Sequence, residues 1–227
     1  MRIELPSGTP AELALPVSVG SRHSFARGVA LSPDIMGLRP LFDGLCARLA
    51  ADHNWAICAP EPFPGREHLS VEERMASMGS LDDERQVGDL LAAAAVLRER
   101  AGVSKIAVLG FCMGGMYALK AAGTGTFDRA IAFYGMIRVP EAWQGPGHAE
   151  PLEAVGRPKA CPVLAIIGER DPYTPPADVE LLEQLPNVTT ARYPEAEHGF
   201  VHDPTRPAHR ADDAADAWRR VNNFLAV

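Results

Sequence analysis

The sequence predicts a doubly wound α/β fold: a mostly parallel sheet, opened by an N-terminal antiparallel hairpin and covered by helices on both faces. Three observations predict it. Short continuous apolar runs recur along the chain, as in Ile106-Ala107-Val108-Leu109 and Val163-Leu164-Ala165-Ile166-Ile167. They alternate with segments whose apolar residues fall at helical spacing, the pattern of a parallel sheet buried on both sides. A glycine-flanked turn, Gly110-Phe111-Cys112-Met113-Gly114-Gly115, joins one of those runs to an Ala-rich segment.

The elements follow in order. Ile3 and Leu5, then Ser7-Gly8, then Leu13, Leu15 and Val17 alternate as a hairpin does. Gly28-Val29-Ala30-Leu31 reads as a strand leading into the loop Ser32-Pro33-Asp34-Ile35-Met36-Gly37. Leu41, Leu45 and Leu49 mark one helix face, and Trp55-Ala56-Ile57-Cys58-Ala59 is the next strand, closed by prolines at 60, 62 and 64. A loop to about residue 80 is expected after them. Val87, Leu90, Leu91, Ala94 and Leu97 form a helical stripe over residues 83–100. The strand at 105–109 and a helix to Ala122 come next, with further strands at 129–134, 162–167 and 188–193. A helix over 177–185 separates the last two strands. Ala214, Trp218, Val221 and Leu225 share one face of a final helix over 211–225. One domain spanning residues 1–227 accommodates all of this.

Composition sets the class. The 227 residues carry 22 Lys+Arg against 29 Asp+Glu, a net charge of −7, with 47% hydrophobic and 22% charged residues. That mixture belongs to a soluble globular chain. The acidic balance argues against a nucleic-acid partner, which needs a clustered basic face. No apolar run approaches the ~20 residues that span a bilayer. Glu4 and Pro6 stand where a signal peptide would be apolar, so a cytoplasmic location is expected. Cys46, Cys58, Cys112 and Cys161 have no paired spacing, which favours free thiols.

Ligands in such sheets bind beyond the carboxyl ends of the strands, and three strand-end loops there carry chemistry. Gly110-Phe111-Cys112-Met113-Gly114 is a G-x-C-x-G form of the nucleophile elbow, in the strand–turn–helix context that motif requires. The helix N-terminus favours a thiolate at Cys112. A glycine-rich turn with an incidental thiol is the plainer alternative. Asp171 follows the strand at 162–167 and could equally be a turn or cap residue. His198 follows the last strand, with Gly199 behind the ring and Phe200 beneath it. His23, His53, His68, His148, His202 and His209 lack that placement.

The order nucleophile, acid, base along the chain is that of α/β-hydrolase enzymes. Cys112 then attacks, His198 moves its proton, and Asp171 orients the imidazole. An oxyanion hole needs the N–H after the nucleophile, that of Met113, and a second from an earlier strand-end loop, where Ile35 is the natural donor. His198 and His202 stand four apart, but Gly199 near a strand end argues against the helix that would aim both at a metal. No metal or cofactor is expected.

Gly110-Phe111-Cys112-Met113-Gly114-Gly115, Gly168-Glu169-Arg170-Asp171-Pro172 and Glu197-His198-Gly199-Phe200, taken together, resemble the dienelactone hydrolase family. Asp34-Ile35-Met36-Gly37 is similar to that family's Glu-Ile-Phe-Gly segment, and the likeness runs from the opening hairpin to the final helix. A cysteine in the elbow is its most specific part. The resemblance implies a hydrolase that opens an enol-lactone through an acyl-cysteine intermediate. It also implies that an acid near the thiol helps switch it to thiolate, a role that falls on Asp34, one methylene shorter than the family's Glu. The family member that defines the activity binds its substrate's carboxylate with two arginines, and the resemblance points to their counterparts here. One lies four residues after the catalytic histidine, a position held here by His202, and Arg85 corresponds loosely to the other. Histidine lacks the guanidinium fork, so the resemblance fits the chemistry better than the substrate.

A carboxylesterase or thioesterase of different acyl specificity is therefore the alternative, and a non-catalytic small-molecule binder on the same scaffold is a third. The expected partner is a small ester or lactone, with the chain a monomer or weak homodimer. Phe63, Tyr134, Trp143, Tyr173 and Phe200 are candidates for the pocket wall.

Overall fold

The computed structural model describes residues 1–16 and 25–226; Val17 of the expected hairpin and His23 lie outside them. Eight strands form one sheet in the order β1-β2-β4-β3-β5-β6-β7-β8. The strands are β1 (Arg2–Glu4), β2 (Pro10–Ala14), β3 (Arg27–Ser32), β4 (Trp55–Pro60), β5 (Ile106–Phe111), β6 (Arg129–Phe133), β7 (Val163–Gly168) and β8 (Val188–Tyr193). β1 pairs antiparallel with β2 and β2 antiparallel with β4, while β4 through β8 run parallel. The α/β-hydrolase architecture expected from the sequence is the one observed.

The helices are α1 (Pro40–His53), α2 (Val71–Ser77), α3 (Asp83–Ala101), α4 (Met113–Ala122), α5 (Pro151–Val155), α6 (Pro176–Glu183) and α7 (Ala211–Leu225). α3 shows why such segments are helical. The Asp82 side chain accepts the Glu84 N–H at its start, acids fill the first turn, and Arg98 and Arg100 lie in the last, each matched to the helix dipole.

Side chains leave the strands alternately to either face. Ile106 and Val108 of β5 join Leu90, Ala94 and Leu97 of α3 in one core. Ala107, Leu109 and Phe111 join Phe42 and Leu45 of α1 and Val221 of α7 in the other. Each fully buried Leu or Phe contributes roughly 2 kcal/mol by removal from water. Cys112 packs against both cores, because the elbow lies at the carboxyl end of the central strand β5, where they meet.

Two helices, α2 and the short α5, are not among the elements the sequence predicts. α2 occupies part of the stretch read as loop, and its Ser70–Glu73 pair forms a complete capping box. The Ser-x-x-Glu spacing carried that signal, but the preceding prolines and the short, polar run concealed it. No described helix is long and apolar enough to cross a membrane.

Candidate active site

Five parallel strands deliver residues to one cavity of about 440 Å³ beyond their carboxyl ends. Asp34 follows β3, Cys112 follows β5, Met136 follows β6, Tyr173 follows β7 and His198 follows β8.

Cys112 takes φ 57°, ψ −121° between β5 and α4, a left-handed conformation that costs a non-glycine residue of order 1–3 kcal/mol. The Cys112 N–H donates to the Phe133 carbonyl at 3.0 Å, and the Met116 N–H returns to the Cys112 carbonyl at 3.1 Å, so the turn is held on both sides. A Cβ at residue 110 would stand 2.0 Å from the Gly114 carbonyl oxygen, and one at 114 would stand 2.2 Å from that of Ser32. The two glycines are therefore a condition of the elbow. Met113 is the first residue of α4, where the helix leaves the amide without an internal acceptor. Cys46, Cys58 and Cys161 are buried, unlike Cys112. Burial pushes the Cys58 and Cys161 thiols up to about 12 and Cys46 higher still.

Asp171 is buried, and each of its carboxylate oxygens has a donor. Oδ1 accepts the Tyr173 N–H at 2.8 Å and Oδ2 meets His198 Nδ1 at 2.7 Å. The imidazole stands edge-on between the rings of Tyr173 and Tyr134, with centroids 4.9 and 5.2 Å away. Nε2 is buried and makes no hydrogen bond of ordinary geometry, so that nitrogen is the one left for chemistry. Burial alone would depress the His198 pKa, but the Asp171 hydrogen bond and the neighbouring Cys112 sulfur outweigh it and raise it to about 10.

Asp34 lines the same cavity, but its oxygens are fully engaged. Oδ1 accepts the Met36 N–H at 2.9 Å and Arg39 Nη1 at 2.7 Å; Oδ2 accepts Arg39 Nη2 and His202 Nε2, both at 2.9 Å. Burial would raise its pKa; the His202 and Arg39 bonds prevail and hold it at about 2. His202 Nδ1 in turn meets the buried Tyr134 hydroxyl.

The other expected substrate-binding residues lie outside the cavity lining. His202 is buried with both ring nitrogens occupied, which takes it away from any ligand and divides it from His198 as a metal pair. Arg85 binds Thr9 Oγ1 at 3.0 Å and faces Asp89, beside a different cavity. Phe200 is fully buried against Tyr134 and Tyr193. Phe63 and Tyr134 are likewise core, whereas Trp143 and Tyr173 do line the cavity.

The cation the cavity does contain is Arg206, which sequence reasoning missed. Its Nη1 lies 2.4 Å from where a Cβ on Gly199 would be, so the absent side chain next to His198 is what admits the guanidinium. That guanidinium makes no ion pair among the described residues. No spacing announces it, since it reaches the site by folding back over Gly199. Asp34 and Asp203 also line the cavity, and the rest of its lining is largely apolar, built by Ile35, Met36, Met75, Met136 and Trp143. Methionine walls adapt to varied ligand shapes.

Comparison with known proteins agrees with this architecture. The sequence model described as the dienelactone hydrolase family matches residues 14–227. The chain is 30% identical to a carboxymethylenebutenolidase of Rhodococcus opacus, over 87% of this chain and 79% of that one. It is 26% identical to a carboxymethylenebutenolidase of Pseudomonas putida, over 96% and 89%. A crystal structure of a Klebsiella pneumoniae protein assigned as a dienelactone hydrolase superposes with a TM-score of 0.87 at 23% identity, covering 100% of this chain and 97% of that one.

Proposed function

Because the chain belongs to the dienelactone hydrolase family and is an ester hydrolase of α/β-hydrolase fold, we propose that it cleaves a small ester or enol-lactone through an acyl-cysteine intermediate, with Cys112, His198 and Asp171 as the triad. The observation that carries this reading is the 2.7 Å bond from His198 Nδ1 to the buried Asp171, with the free Nε2 and the Cys112 thiol in one cavity.

His198 Nε2 holds the thiol proton as imidazolium, and the Cys112 Sγ thiolate attacks the carbonyl carbon. The N–H groups of Met113 and Ile35 receive the oxyanion. As the C–O bond breaks, the imidazolium returns its proton to the leaving oxygen, which in a lactone stays tethered to the acyl group. Water, deprotonated by the same nitrogen, then attacks the thioester and expels the thiolate. Asp171 holds the ring and stabilises its charged form throughout. In this scheme Asp34, already bonded to four donors, braces the Ile35 loop, and the thiol proton goes to His198.

Arg206 gives the reading a substrate preference. An unpaired guanidinium at the rim of the cavity suits a substrate carboxylate, which it can grip with two parallel N–H bonds. The apolar wall favours the alternative, an esterase or thioesterase acting on neutral apolar acyl groups.

The test is turnover of an activated aryl ester. One equivalent of acyl adduct on Cys112 by intact-protein mass is expected, with activity abolished by iodoacetamide. Wild-type rates in Cys112→Ala would overturn the proposal. A substrate panel separates the two readings: reaction confined to carboxylate-bearing lactones eliminates the alternative.

A further inference from the structure

α2 sends a buried arginine under the Ile35 loop. Arg74 is 4% exposed; its Nε donates to the Leu69 carbonyl at 3.1 Å, Nη2 to that of Glu67 at 2.6 Å, and Nη1 to that of Ile35 at 3.2 Å. It lies over the Phe63 ring, 5.0 Å from its centroid. Its Nη1 also faces the buried Glu61 carboxylate at 3.8 Å. Glu61 completes the brace, accepting the Leu38 N–H at 2.7 Å and the Phe63 N–H at 2.9 Å.

These bonds fix the orientation of one amide. In residues 35–38, the Met36 N–H goes to the Asp34 carboxylate, the Gly37 N–H to the Asp34 carbonyl at 2.9 Å, and the Leu38 N–H to Glu61. The Ile35 N–H remains as the donor available to a ligand. It belongs to the same trans peptide as the Asp34 carbonyl, so holding that oxygen with Gly37 turns the N–H the opposite way. Gly37 in turn rests directly on the brace: a Cβ there would stand 2.5 Å from Glu61 Oε1 and 2.9 Å from Arg74 Nη1. The next peptide is pinned at both ends, its oxygen by Arg74 and its N–H by Asp34.

We propose that Arg74, backed by Glu61, is a positioning residue for ester hydrolysis: from α2 it holds the turn that aims the Ile35 N–H at the developing oxyanion. The proposal rests on the acyl-cysteine reading above and adds a residue that touches neither substrate nor thiol. It also links that donor to the cavity wall, since α2 carries Val71 and Met75 on the lining. Arg74 therefore acts on transition-state stabilisation without changing the nucleophile.

The experiment compares wild type, Arg74→Met and Arg74→Lys on an oxygen ester, on the matching thionoester, and on alkylation by iodoacetamide. Losing one oxyanion donor outright costs about 10²–10³ in kcat, so a misaimed donor is expected to cost about 10- to 100-fold. Arg74→Met should show that fall in kcat for the oxygen ester with KM little changed. The thionoester, whose sulfur accepts N–H bonds poorly, should lose much less, and alkylation of Cys112 should keep its wild-type rate. Arg74→Lys should recover part of kcat, because an ammonium can still hold one carbonyl. Oxygen-ester kcat within threefold of wild type in Arg74→Met would overturn the proposal. Equal losses in all three reactions would also overturn it, since they signal general collapse of the site. If Arg74→Met does not fold, Arg74→Lys decides by the same ratio of oxygen ester to thionoester. Failure of the underlying reading shows separately, as wild-type activity that survives iodoacetamide.

Discussion

His202 Nε2 lies 2.9 Å from Asp34 Oδ2, joining two loops separated by 168 positions in the chain. Through the Tyr134 hydroxyl on its other nitrogen, the imidazole ties the loops after β3, β6 and β8 together beneath the cavity. Tyr134 itself has φ 40°, a strained backbone held where three loops converge.

That junction sets an acid limit on the fold. The Asp34 pKa is lowered from 3.8 to about 2, so its stabilisation is complete above the unfolded value and is lost as pH falls from about 4 through 2. The shift corresponds to about 2 kcal/mol. Urea unfolding of wild type should lose roughly that much between pH 5 and 2. Asp34→Asn should start lower and lose correspondingly less over the same interval. Equal pH slopes in the two proteins would refute the assignment.

His198 sets the opposite limit. Its pKa is raised from 6.5 to about 10, so its favourable interactions are complete below about pH 6.5 and vanish as pH climbs through 10. Asp171→Asn removes the anion responsible and should shift that alkaline loss to lower pH. The same substitution should cut kcat about 10²- to 10⁴-fold. Steady-state rates and alkaline melting profiles on one pair of proteins check both.

Arg206 predicts a split between substrates. Arg206→Met should raise KM tenfold or more for a lactone bearing a carboxylate and leave a neutral aryl ester within threefold. Gly199→Ala should imitate it, because the new methyl occupies the guanidinium's place, with an added backbone cost at φ 80° of about 1 kcal/mol. Similar KM changes for both substrate classes would remove Arg206 as an anion anchor.

Trp143, 3% exposed and on the apolar wall, predicts acyl-length selectivity. Trp143→Ala should enlarge the cavity and shift the optimum among neutral aryl esters toward longer acyl chains, at a stability cost of about 3–5 kcal/mol. Rates across an acyl series provide the measurement, with midpoint temperature as the control.

Much of this was legible in the chain because local patterns report strand ends. Cys112, Asp171 and His198 each follow an apolar run; Cys112 and His198 line one cavity, and the buried Asp171 reaches it through its bond to His198 Nδ1. The parallel sheet followed from the same runs, and its opening hairpin from the alternation about Ser7-Gly8. Arg206 and Arg74 were illegible for a physical reason: each lies in a polar stretch and acquires its place through tertiary contacts, over Gly199 in one case and under Gly37 in the other. His202, expected toward the substrate, is enclosed with both nitrogens bonded, and nothing in a sequence distinguishes such an imidazole from one that lines a pocket. α2 carried a Ser70–Glu73 capping signal, but the prolines before it and its short, polar run concealed it.

The contrast among the four thiols gives the protein its own active-site counter. Three are enclosed and held protonated well past neutrality, while the fourth opens onto the cavity. A chromogenic disulfide added to the folded protein at neutral pH should release one equivalent of colour per competent chain and three more only on denaturation. The first phase then measures how much of any preparation carries an intact elbow, with no substrate required.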